Sequence, residues 1–108
     1  MSEVRALQEQ ALKIRQLYSE LNHKDGREQW GPKDYAMGLV GDVGDLMKII
    51  MTKEGMRHTE DADANLAHEL SDCLWSLLVL AAHYGVDLGV SFGQTMHEVE
   101  ERINKAMA

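Results

Sequence analysis

The stretch HELSDCLWSLLVLAAHY, His68 to Tyr84, is apolar on most sides of a helix, yet it opens with two acids three residues apart. Leu66, Leu70, Cys73, Leu77, Leu80 and Tyr84 recur at three- and four-residue spacing, the signature of one α-helical side. Glu69 lies beside Leu66 and Cys73 on that helix, and Asp72 about 60° further round. Asn65, Ser76 and His83 extend the polar line. Working outward, the preceding stretch repeats the design. Leu39, Val43, Leu46 and Ile50 form one stripe with Ile49 at its margin, while Asp42 sits at its edge and Asp45 just beyond. A carboxylate beside a core is costly unless a cation or hydrogen bonds compensate it.

Punctuation divides the chain into four helices. The first is predicted from about Glu3 to Asn22, with Val4, Leu7, Ala11, Ile14, Leu17 and Leu21 on one side and a stop at His23-Lys24-Asp25-Gly26. Pro32 suits the first turn of a second helix that runs to about Lys53. After a loop at Glu54 to His58, Thr59 or Asp61 caps a third helix that reaches His83 or Tyr84. Gly85 ends it, and Asp87 caps a fourth that runs to about Lys105. No repeat or linker interrupts the 108 residues, which read as one all-α domain over 1–108, a four-helix bundle with the second and third helices as its central antiparallel pair.

Composition narrows the function. The chain is 44% apolar and 27% charged, the balance of a globular protein. Eighteen acids against 11 Lys and Arg give a net charge of −7, which argues against a nucleic-acid duplex as partner. The most apolar run, Cys73 to Ala82, is about half the length of a membrane span. MSEVRALQEQALKIRQ at the N-terminus has no apolar core for secretion. With a single cysteine, Cys73, lying inside the apolar run, we expect a reduced core thiol and a cytoplasmic protein.

Residues three apart on a helix are neighbours, so Asp42 with Asp45 and Glu69 with Asp72 can each close on one ion. Two such pairs on consecutive helices, each at an apolar border, predict a site for a hard divalent cation. Oxygen donors favour Mg²⁺ or Mn²⁺, and His23, His58, His68, His83 and His97 are too scattered to suit zinc. Of these, only His68 is a candidate for more than an ordinary helix or loop position. The alternative for the acids is a solvated surface.

WGPKDYAMGLVGDVGDLMK, Trp30 to Lys48, and HELSDCLWSLLVLAAHYGVDL, His68 to Leu88, together resemble the MazG-like nucleoside triphosphate pyrophosphohydrolases. The Trp30-Gly31-Pro32 entry looks most like the dCTP pyrophosphatase branch. In that family a Glu-x-x-Glu pair and a Glu-x-x-Asp pair on neighbouring helices bind Mg²⁺. The resemblance implies a Mg²⁺-dependent enzyme that hydrolyses an NTP or dNTP to the monophosphate and pyrophosphate. Asp42, Asp45, Glu69 and Asp72 would hold metal, with Glu69 and Asp72 catalytic. Trp30, Lys33, Lys48 and Arg102 would contact substrate. Both glutamates of the first pair are aspartates here, each reaching about 1.5 Å less far. On the fourth helix, Thr95 and Val99 replace the family's Lys and Asn, and Arg102 is retained. The alternatives are a noncatalytic relative that binds nucleotide or metal as a sensor or assembly module, and a purely structural helical protein.

Three further features bear on contacts. Gly38, Gly41 and Gly44 recur beside the acids and predict close approach of another helix or a ligand, because each Gly costs roughly 1 kcal/mol within a helix. Trp30 either stacks on a base or anchors its loop to the core, and Trp75 belongs to a core or a subunit interface. LWSLLVLAAHY has more apolar surface than one partner helix can cover, so a self-associating chain is expected, as a homodimer or homotetramer through the second and third helices.

Overall fold

The computed structural model describes residues 3–58 and 60–108, all of whose regular elements are helical: α1 (Glu3–Lys24), α2 (Pro32–Lys53), α3 (Ala62–His83) and α4 (Leu88–Met107). The expected all-α, four-helix architecture is the one the chain adopts. The α1 helix runs two residues past the predicted Asn22. Its true stop is Gly26, whose φ of +68° is a conformation that glycine adopts without strain. There the Arg27 N–H donates to the Asn22 carbonyl at 2.8 Å and the Gly26 N–H to that of His23, a Schellman closure. Gly55 and Gly85 close α2 and α3 in the same way.

The helix starts differ from one another. Pro32 opens α2, and the Asp34 carboxylate accepts the Gly31 N–H at 2.9 Å. Asp87 caps α4 by accepting the Val90 N–H at 3.2 Å. Asp61 precedes α3 in the left-handed region, φ +53°, with no capping bond from its side chain. Thr59, the other candidate cap, lies outside the described residues.

α2 and α3 run antiparallel along their whole length, tied at one end by a Lys53–Asp63 ion pair and hydrogen bond. α1 packs on the outer side of α3, so the three helices lie side by side in the order α2, α3, α1. Ala11, Tyr35, Leu78 and Val79 form a small core, with Val4, Trp75, Leu80 and Leu88 against it. The Trp75 indole N–H donates to the Ala11 carbonyl at 3.1 Å, and its ring meets those of Tyr18 and Tyr35 edge-on. Trp75 is therefore a core residue within this chain. At Tyr84 to Asp87 the chain turns by 103°, and α4 packs chiefly on α1. No single helix among the described residues is long and apolar enough to cross a membrane.

The predicted stripes are real helix faces, but the chain does not cover them. Val43, Ile50, Leu70 and Leu77 remain 40–51% exposed. Of the stripe residues only Cys73 is fully buried, and buried beside it are Tyr35 and Ile49 of α2 and Ser76, Leu78, Val79 and Ala81 of α3. Ser76, placed on the polar line by sequence, is 3% exposed. The reason is geometric. Two neighbouring helices bury only the arcs that face each other, and both stripes sit to one side of those arcs.

Candidate metal centre

The antiparallel register brings the middle of α2 against the first half of α3, so the four acids meet at the seam between them. Ligand atoms of Asp42, Asp45 and Glu69 all lie within 4.8 Å of one another, as do those of His68, Glu69 and Asp72. Glu69 belongs to both groups and is the hinge of the cluster. Its Oε2 is shielded from solvent and has no hydrogen-bond partner among the described residues. A carboxylate oxygen left in this state is costly, and a cation is the partner whose charge matches it.

Helical spacing supplies two more groups. His68 Nε2 lies 3.0 Å from Asp72 Oδ2, one turn along α3. Lys48 Nζ lies 3.9 Å from Asp45 Oδ1 on α2, with both side chains more than half exposed. His68 was the one histidine the sequence singled out.

The electrostatics follow from crowding like charges. Desolvation, then repulsion from Asp72 and Asp45, pushes the Asp42 carboxyl above its ordinary range, against a smaller opposing pull from His68. Glu69 is raised by desolvation first, then by Asp45 and Asp72, with His68 again opposing. Burial, then the charges of Asp42, Glu69 and Asp72, holds the Cys73 thiol up and protonated. Charge repulsion at the seam is what a divalent cation would relieve. Four carboxylates with one imidazole beside them are donors for a hard ion such as Mg²⁺ or Mn²⁺.

The remaining predicted site residues lie elsewhere. Lys33 is in the first turn of α2, about 13 Å of helix rise from Asp42. Trp30 is half exposed. Its ring meets Tyr35 at 5.5 Å and rests over Gly38, where an added Cβ would approach the indole at 3.4 Å. It thus ties the α1–α2 loop to α2, the anchoring role. It also forms the wall between a cavity of about 260 Å³, reached by Arg15, Asn22, Gln29 and His83, and one of about 380 Å³, lined by Tyr18, Arg27 and Trp75. Arg102 is on α4, away from the helix pair that carries the acids. Among the described residues, the Trp30 side chain approaches Gly38, and no atom lies within 4 Å of a Cβ placed at Gly41 or Gly44.

Sequence reasoning missed Tyr35. Tyr35, buried in the structure, stands seven residues before Asp42, two turns along the same side of α2. No family model matches the chain, and no curated protein matches it.

Proposed function

We propose that the chain is a divalent-metal-dependent nucleotide pyrophosphohydrolase that converts an NTP or dNTP to its monophosphate and pyrophosphate. The observation that carries this reading is the four-carboxylate seam with the unpartnered Glu69 oxygen at its centre. The MazG-like resemblance of Trp30 to Lys48 and His68 to Leu88 supplies the reaction. Asp42, Asp45, Glu69 and Asp72 would hold the ion, which when bound supplies positive charge for the phosphate oxygens. Hydrolysis adds water at phosphorus and breaks the bridging P–O bond between the α and β phosphates. Glu69, shared by both ligand groups at the centre of the seam, is the candidate for orienting that water and taking its proton. Asp72 would hold His68 in place through their 3.0 Å contact. Lys48 is the cation nearest the seam and the first candidate for a phosphate oxygen. Trp30 and Lys33, at the start of α2, are candidates for the nucleoside end of the substrate, and Arg102 is the residual family cation on α4. The buried thiol of Cys73 suits a reducing, cytoplasmic setting.

One observation favours a second reading, a noncatalytic nucleotide- or metal-binding module. Thr95 and Val99 stand where the family carries phosphate-binding residues, and α4 does not pack on the acid seam. The deciding experiment is a screen of common NTPs and dNTPs with Mg²⁺ and pyrophosphate detection. Turnover that stops with chelator supports the enzyme, binding without turnover the module, and neither overturns both.

A further inference from the structure

The start of α2 and the end of α3 meet the second half of α1 around the cavity of about 260 Å³ beside Trp30. Helix geometry keeps this cavity apart from the acid seam. Tyr35 lies about 11 Å of helix rise before Asp42, and His83 about 17 Å beyond Asp72. None of the four acids lines it.

Its lining differs in charge from the rest of the chain. The protein carries 18 Asp and Glu and a net charge of −7, yet among the described residues no Asp or Glu lines the cavity. Arg15 and Asn22 reach it from α1, Tyr35 from α2 and His83 from α3. Two other polar liners satisfy each other: the Ser19 hydroxyl donates to Gln29 Oε1 at 2.8 Å, and Gln29 Nε2 to the Ser19 carbonyl at 3.1 Å. Among the described residues, no hydrogen bond or ion pair engages the side chains of Arg15, Asn22, Tyr35 or His83.

Tyr35 is only 7% exposed, and a buried phenol normally finds a partner for its hydroxyl. Burial pushes that phenol up from its ordinary range, and the Arg15 guanidinium pulls the other way, so the two groups lie within electrostatic reach. Asp34 also acts on Tyr35, but its carboxylate accepts the Gly31 N–H. A guanidinium, a phenol, an amide and an imidazole can all donate hydrogen bonds, and the cavity holds no charged acceptor for them. An oxyanion is such an acceptor, and a guanidinium fork matches phosphate and carboxylate alike. The volume falls below the roughly 300 Å³ at which sites for drug-sized molecules begin, so the ligand is small.

We propose that this cavity binds a small oxyanion, a phosphate monoester or a carboxylate with at most one ring, held by Arg15, Tyr35 and His83 with the ring against Trp30. Because its residues come from three helices, the bound anion fastens α1 to the α2–α3 pair. The site is independent of the seam and of hydrolysis.

Titration of the full chain at constant ionic strength tests it, with chelator present so that no divalent ion draws the anion to the seam. The probes are inorganic phosphate, phenyl phosphate and benzoate, read by tryptophan fluorescence and by Tm. The expected result is a saturable fluorescence change and a raised Tm with at least one probe. Its dissociation constant should be at least tenfold weaker in Arg15→Gln and about threefold weaker in Tyr35→Phe, which keeps the ring. Glu69→Gln should leave it unchanged. Binding of the two phosphates alone supports a phosphoryl ligand, and binding of benzoate alone a carboxylate. No saturable binding of any probe overturns the proposal, as does a constant unchanged in Arg15→Gln or weakened as much in Glu69→Gln. Should Arg15→Gln lose helicity, His83→Gln replaces it: a threefold weaker constant supports the proposal, and an unchanged one refutes it.

Discussion

The α2–α3 pair and α4 are built from similar material: helices of 22, 22 and 20 residues, each with an apolar stripe. On α4 the stripe is Leu88, Phe92, Met96, Val99, Ile103 and Met107, a cleaner pattern than either central helix carries. Yet the central pair pack along their whole length and bring four acids together, whereas α4 turns away by 103° and is fixed near its start, by Leu88 in the core and an Asp87–Arg5 contact at 3.9 Å. Phe92, Ile103 and Met107 stay more than half exposed. Periodicity specifies which residues share a side of a helix. What covers that side is decided by the rest of the chain, or by another chain.

The same contrast divides the candidate chemistry. Everything that depends on the seam is assembled within one chain, and the phosphate-binding role the resemblance assigns to Arg102 is not. The largest effect should therefore come from the seam. Asp45→Asn keeps the size of the side chain but removes its charge, and we expect turnover to fall at least 100-fold with helicity unchanged. Arg102→Gln should cost roughly tenfold less than that, because electrostatic stabilisation falls with distance from the reacting groups. Steady-state kinetics on both variants checks this. Equal losses would mean that α4 reaches the seam, from its own chain or a partner's.

The Asp-for-Glu departures give the next test. If Asp42 and Asp45 are shortened but working ligands, Asp45→Glu should reduce activity by a few-fold, because the octahedral geometry of Mg²⁺ tolerates little change in ligand reach. A gain in activity would mark the wild type as a weakened enzyme whose seam falls short of the family's reach.

Metal should also stabilise the seam selectively. Four acids that repel when empty favour any divalent ion bound by the folded state alone, and saturating Mg²⁺ at about 100 times its dissociation constant is worth about 2.7 kcal/mol. For a chain of this size that is a rise in Tm on the order of 10 °C. Hydrogen exchange should slow at α2 and α3 and change little on α4.

How legible this molecule was in its sequence depends on the kind of information asked for. Pro32, Asp87 and the glycines at 26, 55 and 85 marked the helix ends because each supplies a backbone geometry that few other residues do. The four acids were legible because helical spacing is regular, and antiparallel pairing preserved it. The burial of Ser76 and Tyr35 was not, since it depends on where one helix lies against its neighbour. Nor were the open surroundings of Gly41 and Gly44, because a small residue records that something can approach but not what does.

The smallest effect is on pH dependence. With chelator present, the raised Asp42 and Glu69 bind protons more tightly when folded than when unfolded. Stability they contribute is therefore present in acid and is lost as pH rises from the ordinary carboxylate range, about 4, through their folded values. A metal-free Tm that declines over this interval, and flattens in Asp42→Asn/Glu69→Gln, is the expected result.

The central claim is that the α2–α3 seam holds a divalent ion through Glu69 and its three neighbours. Isothermal titration of Mn²⁺ into wild type and Glu69→Gln tests it most directly. The account predicts saturable binding by wild type and at least a tenfold weaker constant in the variant, whose circular dichroism is unchanged. No binding by wild type, or the same constant in both proteins, would contradict it.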